Sequence, residues 1–151
     1  MTSVIALHDA PAAGFDAPFE MLEACHQRVE RMLSLLERLG AHLDTHGADE
    51  QARQAARDVM RYFDTAAPHH HEDEERHVLP RLRAHGHAAL ADRVQGDHHT
   101  MTAAWSAVRA VLVAIEQGHW PQVGRPATAA QWRDFVALYR VHIALEEDEA
   151  Y

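Results

Sequence analysis

The chain has 151 residues, of which 47% are hydrophobic and 25% are charged. This length and composition are those of one globular domain that can bury a core. The net charge of −9, from 14 basic and 23 acidic residues, argues against nucleic acid or an anionic membrane surface as the main partner.

The single cysteine, Cys25, cannot form a disulfide within the chain. It also excludes a thiolate-rich zinc or iron–sulfur site in one chain. The apolar run at residues 4–7 follows no basic segment and is too short for a signal peptide. No apolar stretch reaches membrane-spanning length, so we expect a cytoplasmic protein without a membrane partner. The sequence does not predict an oligomeric state.

Residues 1–15 are expected to form an irregular lead-in, and the domain is expected to occupy residues 16–151. Asp16 is a suitable N-cap, and Pro18 then lies in the first turn of a helix. Apolar residues with His26 recur at steps of four and three along this helix, as on one face of an amphipathic helix. The positions of this seam are Leu22, His26, Val29, Leu33 and Leu36. Gly40 is predicted to end the helix.

A polar connection is expected over residues 41–47, after which Asp49 can cap a second helix. The inward face of that helix is predicted to carry Ala52, Ala56, Val59, Phe63, Ala67, His70, Glu74 and Val78. Pro68 lies inside the pattern, where proline removes a backbone hydrogen bond and clashes with the preceding turn. We therefore expect a kink or a break there. Pro80 ends the pattern, and Gly86 lies in the next connection.

The third helix is predicted from about residue 88 to residue 117, and its steps alternate four and three throughout. Its seam consists of Val94, His98, Met101, Trp105, Val108, Leu112 and Ile115. Residues 118–126 contain two prolines and two glycines and are predicted to be a loop. Thr128 is the predicted N-cap of a fourth helix that runs to the C-terminal end. Its inner face is marked by Phe135, Leu138 or Tyr139, His142 and Glu146.

No strand-like alternation persists in the sequence. Four long helices with short connections predict an all-α, up-down-up-down antiparallel four-helix bundle. Each seam carries one histidine, and two seams also carry a glutamate, so these groups converge in the bundle core. They are His26, His70, His98 and His142, with Glu74 and Glu146.

Burying unpaired carboxylates costs several kcal/mol each, against a net stability of about 5–15 kcal/mol for a typical domain. Metal ions would compensate, because a bound cation is the largest local charge available. Four imidazole nitrogens and two carboxylates suit iron, manganese or zinc, whereas calcium prefers oxygen ligands alone. The sequence therefore predicts a metal site in the core.

The motif H-x-x-x-E-E occurs twice, at residues 70–75 and 142–147. A histidine and a glutamate four residues apart leave the same face of a helix. His26 and His98 are separated by the same interval as the two motifs. The repeat predicts two helix hairpins related by an approximate twofold axis, each supplying two histidines and one glutamate. Such a site would hold two metals, with each glutamate bridging both.

Other registers remain as alternatives. The seam favours His98 over His99, and a shift of helix phase at Pro68 would instead turn His71 and Glu75 inward. A ferritin-like site requires E-x-x-H motifs on two helices. Such motifs exist, but Glu23 and His77 fall off the apolar seams.

Cys25 is expected to pack beside the site. Tyr139 is expected in the core, with contact to a metal-bound oxygen as the alternative. The histidines expected to be exposed are His8, His42, His46, His77, His85, His87 and His119.

The chain resembles the hemerythrin-like, or HHE cation-binding, domain from about residue 16 to residue 149. The matching elements are Cys25-His26, His70-x-x-x-Glu74-Glu75 with Val78-Leu79-Pro80, Asp97-His98, and His142-x-x-x-Glu146-Glu147. This resemblance implies a four-helix bundle that holds two iron ions, bridged by two carboxylates and an oxo or hydroxo oxygen. It also implies that the centre meets O2, NO or peroxide.

The resemblance to the oxygen carriers of this family is incomplete. Those proteins have a second histidine where Thr102 stands here, and an aspartate where Glu147 stands. The set of four histidines and two glutamates is similar to the di-iron proteins linked to nitric-oxide stress and iron–sulfur repair. Those proteins usually carry a cysteine-bearing N-terminal domain, which is not found in this sequence.

With two histidines, two bridging carboxylates and a shared oxygen, each iron would be five-coordinate and keep one open position. Two equivalent open positions favour redox chemistry on NO, O2 or peroxide over reversible O2 carriage. Three hypotheses remain open from the sequence: a module that binds or senses O2 or NO, an enzyme or iron donor in nitrosative and oxidative stress, and a structural bundle with zinc or no metal.

Overall fold

The computed structural model describes residues 18–120 and 125–151, so the expected lead-in and the predicted cap Asp16 lie outside the described residues. The described parts are helical and contain no strand. The α-helices are α1 (Pro18–His46), α2 (Glu50–Arg61), α3 (Ala67–His77), α4 (Leu79–Ala84), α5 (Ala88–Glu116) and α6 (Arg125–Leu145). Two short π-helices, π1 (Tyr62–Ala66) and π2 (Glu146–Ala150), continue α2 and α6.

These elements form a four-helix bundle, as predicted. Helices α2 and α3 with π1 between them make one bent member, and α1, α5 and α6 make the other three. Helix α1 packs on α2 and α6, and α5 packs on α2 and α6, so each member has two neighbours. Among the described helices, none has the combined length and apolar character needed to cross a membrane.

The core consists of two apolar clusters with a polar layer between them. The larger cluster includes Leu33, Phe63, Met101 and Phe135, and the smaller includes Leu22 and Val94. On α1, His26 stands between Leu22 of the small cluster and Val29 of the large one. His98 stands between Val94 and Met101 on α5 in the same way. The regular apolar steps therefore place the histidines at one level of the bundle.

The predicted seams are confirmed. Every seam residue named for the first three helices is buried. On the fourth, Tyr139 is buried whereas Leu138 is only half-buried, which settles that choice. Asp49 caps α2 as expected, since its side chain accepts a hydrogen bond of 2.9 Å from the Ala52 amide.

Two predicted helix ends are wrong. Helix α1 does not stop at Gly40 but continues to His46, and most of the expected connection over 41–47 is helical. The residue with the positive φ of 68° is Gly47, which is the backbone conformation that favours glycine after a helix. Helix α6 begins at Arg125 rather than after Thr128. Pro126 is its second residue, where the missing N–H costs little.

The predicted disturbance at Pro68 is confirmed, and it takes the form of the π-helical turn π1. Within this turn the Ala67 N–H bonds to the Tyr62 carbonyl, five residues earlier. The wider turn precedes Pro68, which then lies at the start of α3. The second bundle member is interrupted again at Val78, and Pro80 lies in the first turn of α4 rather than at a terminus.

Candidate metal centre

Six buried polar side chains meet in the layer between the two apolar clusters. Each is at most 5% exposed, and the two carboxylates are fully buried. The six are His26 on α1, His70 and Glu74 on α3, His98 on α5, His142 on α6 and Glu146 on π2. The structure thus brings together all of the residues that the sequence predicts as metal ligands.

Their donor atoms form two groups that could each hold a metal ion. One contains His26 and His70 and the other contains His98 and His142, and both contain Glu74 and Glu146. Within each group the donor atoms lie within 4.8 Å of one another. Since both carboxylates belong to both groups, the arrangement matches the bridged pair of sites expected from the repeat.

The two oxygens of Glu146 face different groups. Oε1 lies 3.0 Å from His26 Nε2, and Oε2 lies 3.1 Å from His142 Nε2. On the opposite side, Glu74 Oε1 lies 3.1 Å from His98 Nε2 and 3.4 Å from His70 Nε2. Each imidazole therefore turns its Nε2 atom towards the carboxylates.

Several of these buried atoms lack hydrogen-bond partners. They are both oxygens of Glu146, both ring nitrogens of His70, and Nε2 of His142. Buried polar groups are normally satisfied, so orphans this close together require an explanation. Atoms that lie about 3 Å apart without hydrogen-bond alignment are arranged as ligands around an ion would be. The nitrogen and oxygen donor set also suits iron, manganese or zinc.

Three outer carboxylates hold the histidine rings. Each accepts a hydrogen bond of 3.0 Å from an Nδ1 atom. The pairs are Glu147 with His26, Glu75 with His98, and Asp97 with His142. Partners of this kind fix the tautomer and the ring orientation, which leaves Nε2 free for a metal.

The outer partners obey the same sequence repeat as the inner six. Glu75 and Glu147 are the second glutamates of the two H-x-x-x-E-E motifs, and the histidines that they bind are also related by the repeat. The repeat makes Cys25 the counterpart of Asp97. Sequence analysis matched the two outer glutamates but assigned them no role. The signal was their position directly after the inward glutamate of each motif.

Cys25 packs beside the centre as expected, next to His70. The neighbouring His70 imidazole lowers the pKa of the Cys25 thiol, although burial opposes the shift. The contact still falls short of hydrogen-bond geometry, since neither nitrogen of His70 has a partner that meets it. Among the described residues, His70 is the one of the four site histidines whose ring has no outer carboxylate partner.

The metal-free centre is charged. Burial lowers the pKa of His26 and of His98, but the neighbouring carboxylates of Glu146 and Glu74 outweigh it and raise both values to about 10. Burial would likewise raise the pKa of Glu74, yet hydrogen bonds from the surrounding cluster hold it well below its ordinary value. Burial also lowers the pKa of His70, but the neighbouring Cys25 and Glu74 raise it to about 9. Imidazolium ions, those of His26 and His98 among them, therefore balance the buried carboxylates when no metal is bound.

This balance predicts that the metal-free protein loses stability in alkaline solution. The pKa values of His26 and His98 are about 10 when folded and about 6.5 when unfolded. Their stabilising contribution is complete below about pH 6.5 and is lost as the pH rises towards about 10. We expect the free energy of unfolding, measured with urea at constant ionic strength, to fall across this range. Metal-loaded protein is the control and should not show this fall, so equal profiles would contradict the assignment.

The rival arrangements do not form in the described structure. Glu75 binds His98 from outside the centre, and His71 stacks on His98 with ring centroids 4.1 Å apart, in neither metal group. Burial and the neighbouring His98 lower the pKa of His71 to about 3, so its ring is neutral. Glu23 and His77 are exposed, which removes the ferritin-like alternative.

The remaining candidate residues lie as follows. His99 is exposed as expected, whereas His42 is half-buried and bonds to Asp49 at 2.8 Å. Tyr139 packs in the core against Phe63 and Phe135. In the described structure it makes no hydrogen bond to any of the six residues.

Tyr151 is a member of the site that sequence reasoning missed. Its hydroxyl donates a hydrogen bond to Glu74 and lies 3.1 Å from His26 Nε2. The π-helical turn explains the miss, because the Tyr151 N–H bonds to the Glu146 carbonyl five residues earlier. An α-helical period of four points to Ala150 as the next inward residue and gives no signal for Tyr151.

A family model for the hemerythrin HHE cation-binding domain matches residues 17–151 of the chain. An uncharacterized protein from Haemophilus influenzae is 30% identical over 137 residues, which cover 89% of this chain and 77% of that relative. The range matched by the family model includes all six residues of the two metal groups and their outer partners.

Proposed function

The chain belongs to the hemerythrin HHE cation-binding family, and on that premise we propose that it is a non-haem di-iron protein that binds or reacts with O2, NO or peroxide. Membership makes it a metal-binding helical protein. The iron, its number and the small ligand are our proposal. The observation that carries it is the pair of fully buried glutamates that belong to both donor groups.

In this proposal one iron is held by His26 and His70 and the other by His98 and His142. Glu74 and Glu146 would be shared by the two ions, because each lies in both groups. Each ion would then have two nitrogens and two carboxylate oxygens before any shared oxo or hydroxo group. Manganese and zinc accept the same donors, so the identity of the metal is part of the test.

The bound irons would supply the one-electron chemistry and the positions at which a small ligand binds. The chain supplies the surroundings. The apolar clusters on either side of the polar layer keep bulk water away, which strengthens electrostatic interactions inside the centre. The outer carboxylates Glu75, Asp97 and Glu147 keep the rings oriented and raise the basicity of the ligands.

A second candidate is an enzyme or iron donor that acts in nitrosative or oxidative stress. The observation that favours it is the position where oxygen carriers have a further histidine. Here Thr102 occupies that position on α5, and its hydroxyl donates a 2.9 Å hydrogen bond to the His98 carbonyl. The set of four histidines and two glutamates, without that fifth histidine, supports chemistry on NO or peroxide over simple carriage of O2.

The decisive experiment is metal analysis by mass spectrometry of protein produced with iron supplied, with an absorption spectrum of the same sample. We expect about two irons per chain, one for each donor group, and oxo-to-iron charge-transfer bands in the near ultraviolet. Zinc alone, or no metal, would contradict the proposal. If iron is present, reversible oxygenation of the ferrous form indicates a carrier or sensor. Multiple turnovers of NO or peroxide with a reductant indicate an enzyme.

A further inference from the structure

The two halves of the centre are not equivalent, although the repeat relates them. His26 and His98 occupy matching positions of the repeat, and each stacks on an aromatic ring. The Tyr151 ring stacks on His26 at a centroid distance of 5.3 Å and an angle of 13°. The His71 ring stacks on His98 at 4.1 Å and 11°. In the described structure, only the first of these rings makes a hydrogen bond to a residue of the donor groups.

The phenol of Tyr151 lies among the donors of the His26–His70 half. Its hydroxyl donates a hydrogen bond to Glu74 Oε2 and lies 3.1 Å from His26 Nε2. These are two of the four residues that make up this group. An ion held by these residues would therefore have the phenol oxygen close to its ligand atoms.

The position of Tyr151 is held at both ends. Its amide bonds to the Glu146 carbonyl at 2.8 Å, so the backbone is tied to the residue that bridges the two halves. Its ring also packs against Phe19 on α1, with centroids 5.8 Å apart. The phenol is therefore placed by the helix end as well as by its own hydrogen bonds.

The His98–His142 half has no corresponding hydroxyl among the described residues. The repeat pairs Tyr151 with Leu79, which is buried and apolar. His71, which covers this half, makes no side-chain hydrogen bond within the described parts of the chain. Its ring also borders a cavity of about 50 Å³. Other residues that line this cavity are Phe63, Met101, Thr102, Trp105 and Tyr139.

The cavity lies next to the second half of the centre. The His71 ring separates it from the ligands, at 4.1 Å from the His98 ring and 6.5 Å from the His142 ring. A site needs only about 10–15 Å³ of such volume to admit a water molecule, so the space is sufficient for a diatomic ligand. One half of the centre thus has free space one side chain away, behind the His71 ring, whereas the other half directly contacts a phenol.

We propose that Tyr151 fills the small-ligand position of the His26–His70 half, so that a small ligand binds only at the His98–His142 half. The inference rests on the proposed di-iron function and deepens it. It replaces the expectation of two equivalent open positions, which the sequence repeat favours, with a single one. Tyr151 is then the residue that restricts small-ligand binding to one half of the centre, although the six metal ligands are related by the repeat.

The test uses azide as a small anionic probe of the oxidised, iron-loaded protein, followed by absorption. We expect wild-type protein to bind about one azide per pair of irons, one for the single open half. Tyr151→Phe removes only the hydroxyl and keeps the ring against His26 and Phe19. This variant should bind about two azides per pair of irons, because the hydroxyl beside Glu74 and His26 is gone.

Tyr62→Phe is the matched control, and it should bind one azide as wild type does. The Tyr62 hydroxyl donates a 3.4 Å hydrogen bond to the Cys25 carbonyl, makes none to the six residues in the described structure, and does not line the cavity. Iron content and circular dichroism establish that each variant is folded and loaded. Two azides on the wild type, or unchanged stoichiometry in Tyr151→Phe, would overturn the inference. Failure to load two irons in the wild type would instead count against the proposed function, so the two failures are distinguishable.

Discussion

Replacement of Glu74 by glutamine should empty both metal positions at once. Glu74 is fully buried and belongs to both donor groups, so its loss removes a ligand oxygen and a negative charge from each. Glutamine has nearly the same volume, which keeps the packing intact. In the metal-free protein the surrounding imidazolium ions also lose their partner, and breaking a buried pair in this way costs about 3–5 kcal/mol. Metal content per chain and urea unfolding of the metal-free form measure the two effects separately.

Two neighbours on α3 serve as controls. Glu72→Gln should leave metal content unchanged, because Glu72 is 58% exposed and its pair with Arg76 is worth about 0–1 kcal/mol at the surface. The metal content of Glu75→Gln should lie between those of Glu74→Gln and Glu72→Gln. This substitution weakens the support of His98, and changes in such outer partners typically reduce metal affinity about 10–100-fold. Retention of two metals by Glu74→Gln would rule out a bridging role for this carboxylate.

The burial of the six polar groups in the bundle core was predictable because they lie on the same helix faces as the neighbouring apolar residues. His98 follows Val94 by four residues and precedes Met101 by three, so the same face that buries valine and methionine must bury the imidazole. Spacing alone identified the inner residues, since no other face of these helices has a comparable apolar run.

The helix ends were less predictable because glycine and threonine occur both inside helices and at their ends. Gly40 lies inside α1 and faces Trp132, where an added Cβ would sit 3.7 Å from the indole ring. Its small size serves packing at this point, whereas Gly47 supplies the left-handed turn. A single sequence does not distinguish these two roles, and the polar residues after Gly40 favour the earlier glycine as the predicted helix end.

The polar surroundings of the site were missed for two different physical reasons. Glu75 and Glu147 fall one position off their seams, and a seam-based interpretation assigns such positions to the surface. Both are indeed partly exposed, yet their carboxylates reach back to an Nδ1 atom. Tyr151 was missed because the backbone hydrogen bonds of π2 join residues five apart instead of four. No residue type in that segment signals this change.

Replacement of His98 by alanine should remove metal from the His98–His142 half and destabilise the bundle. His98 is 2% exposed, and both of its nitrogens are bonded to carboxylates, at 3.1 Å to Glu74 and at 3.0 Å to Glu75. Alanine leaves the buried Glu74 without one of its cationic partners, and we expect a loss of about 3–5 kcal/mol in the metal-free protein. Metal content and urea unfolding are again the measurements.

His99→Ala is the matched control, one residue away on the same helix. His99 is exposed, and surface substitutions of this kind usually change stability by less than about 0.5 kcal/mol. Because the two variants lose the same side chain from the same helix, helix propensity and histidine count cancel in the comparison. The two histidines differ only in the direction of their side chains. A difference in metal content between the two variants therefore reports the effect of the inward-facing histidine. If His99→Ala were the damaging change, the register of α5 would be displaced by one residue, and the ligand assignment in this half would be lost with it.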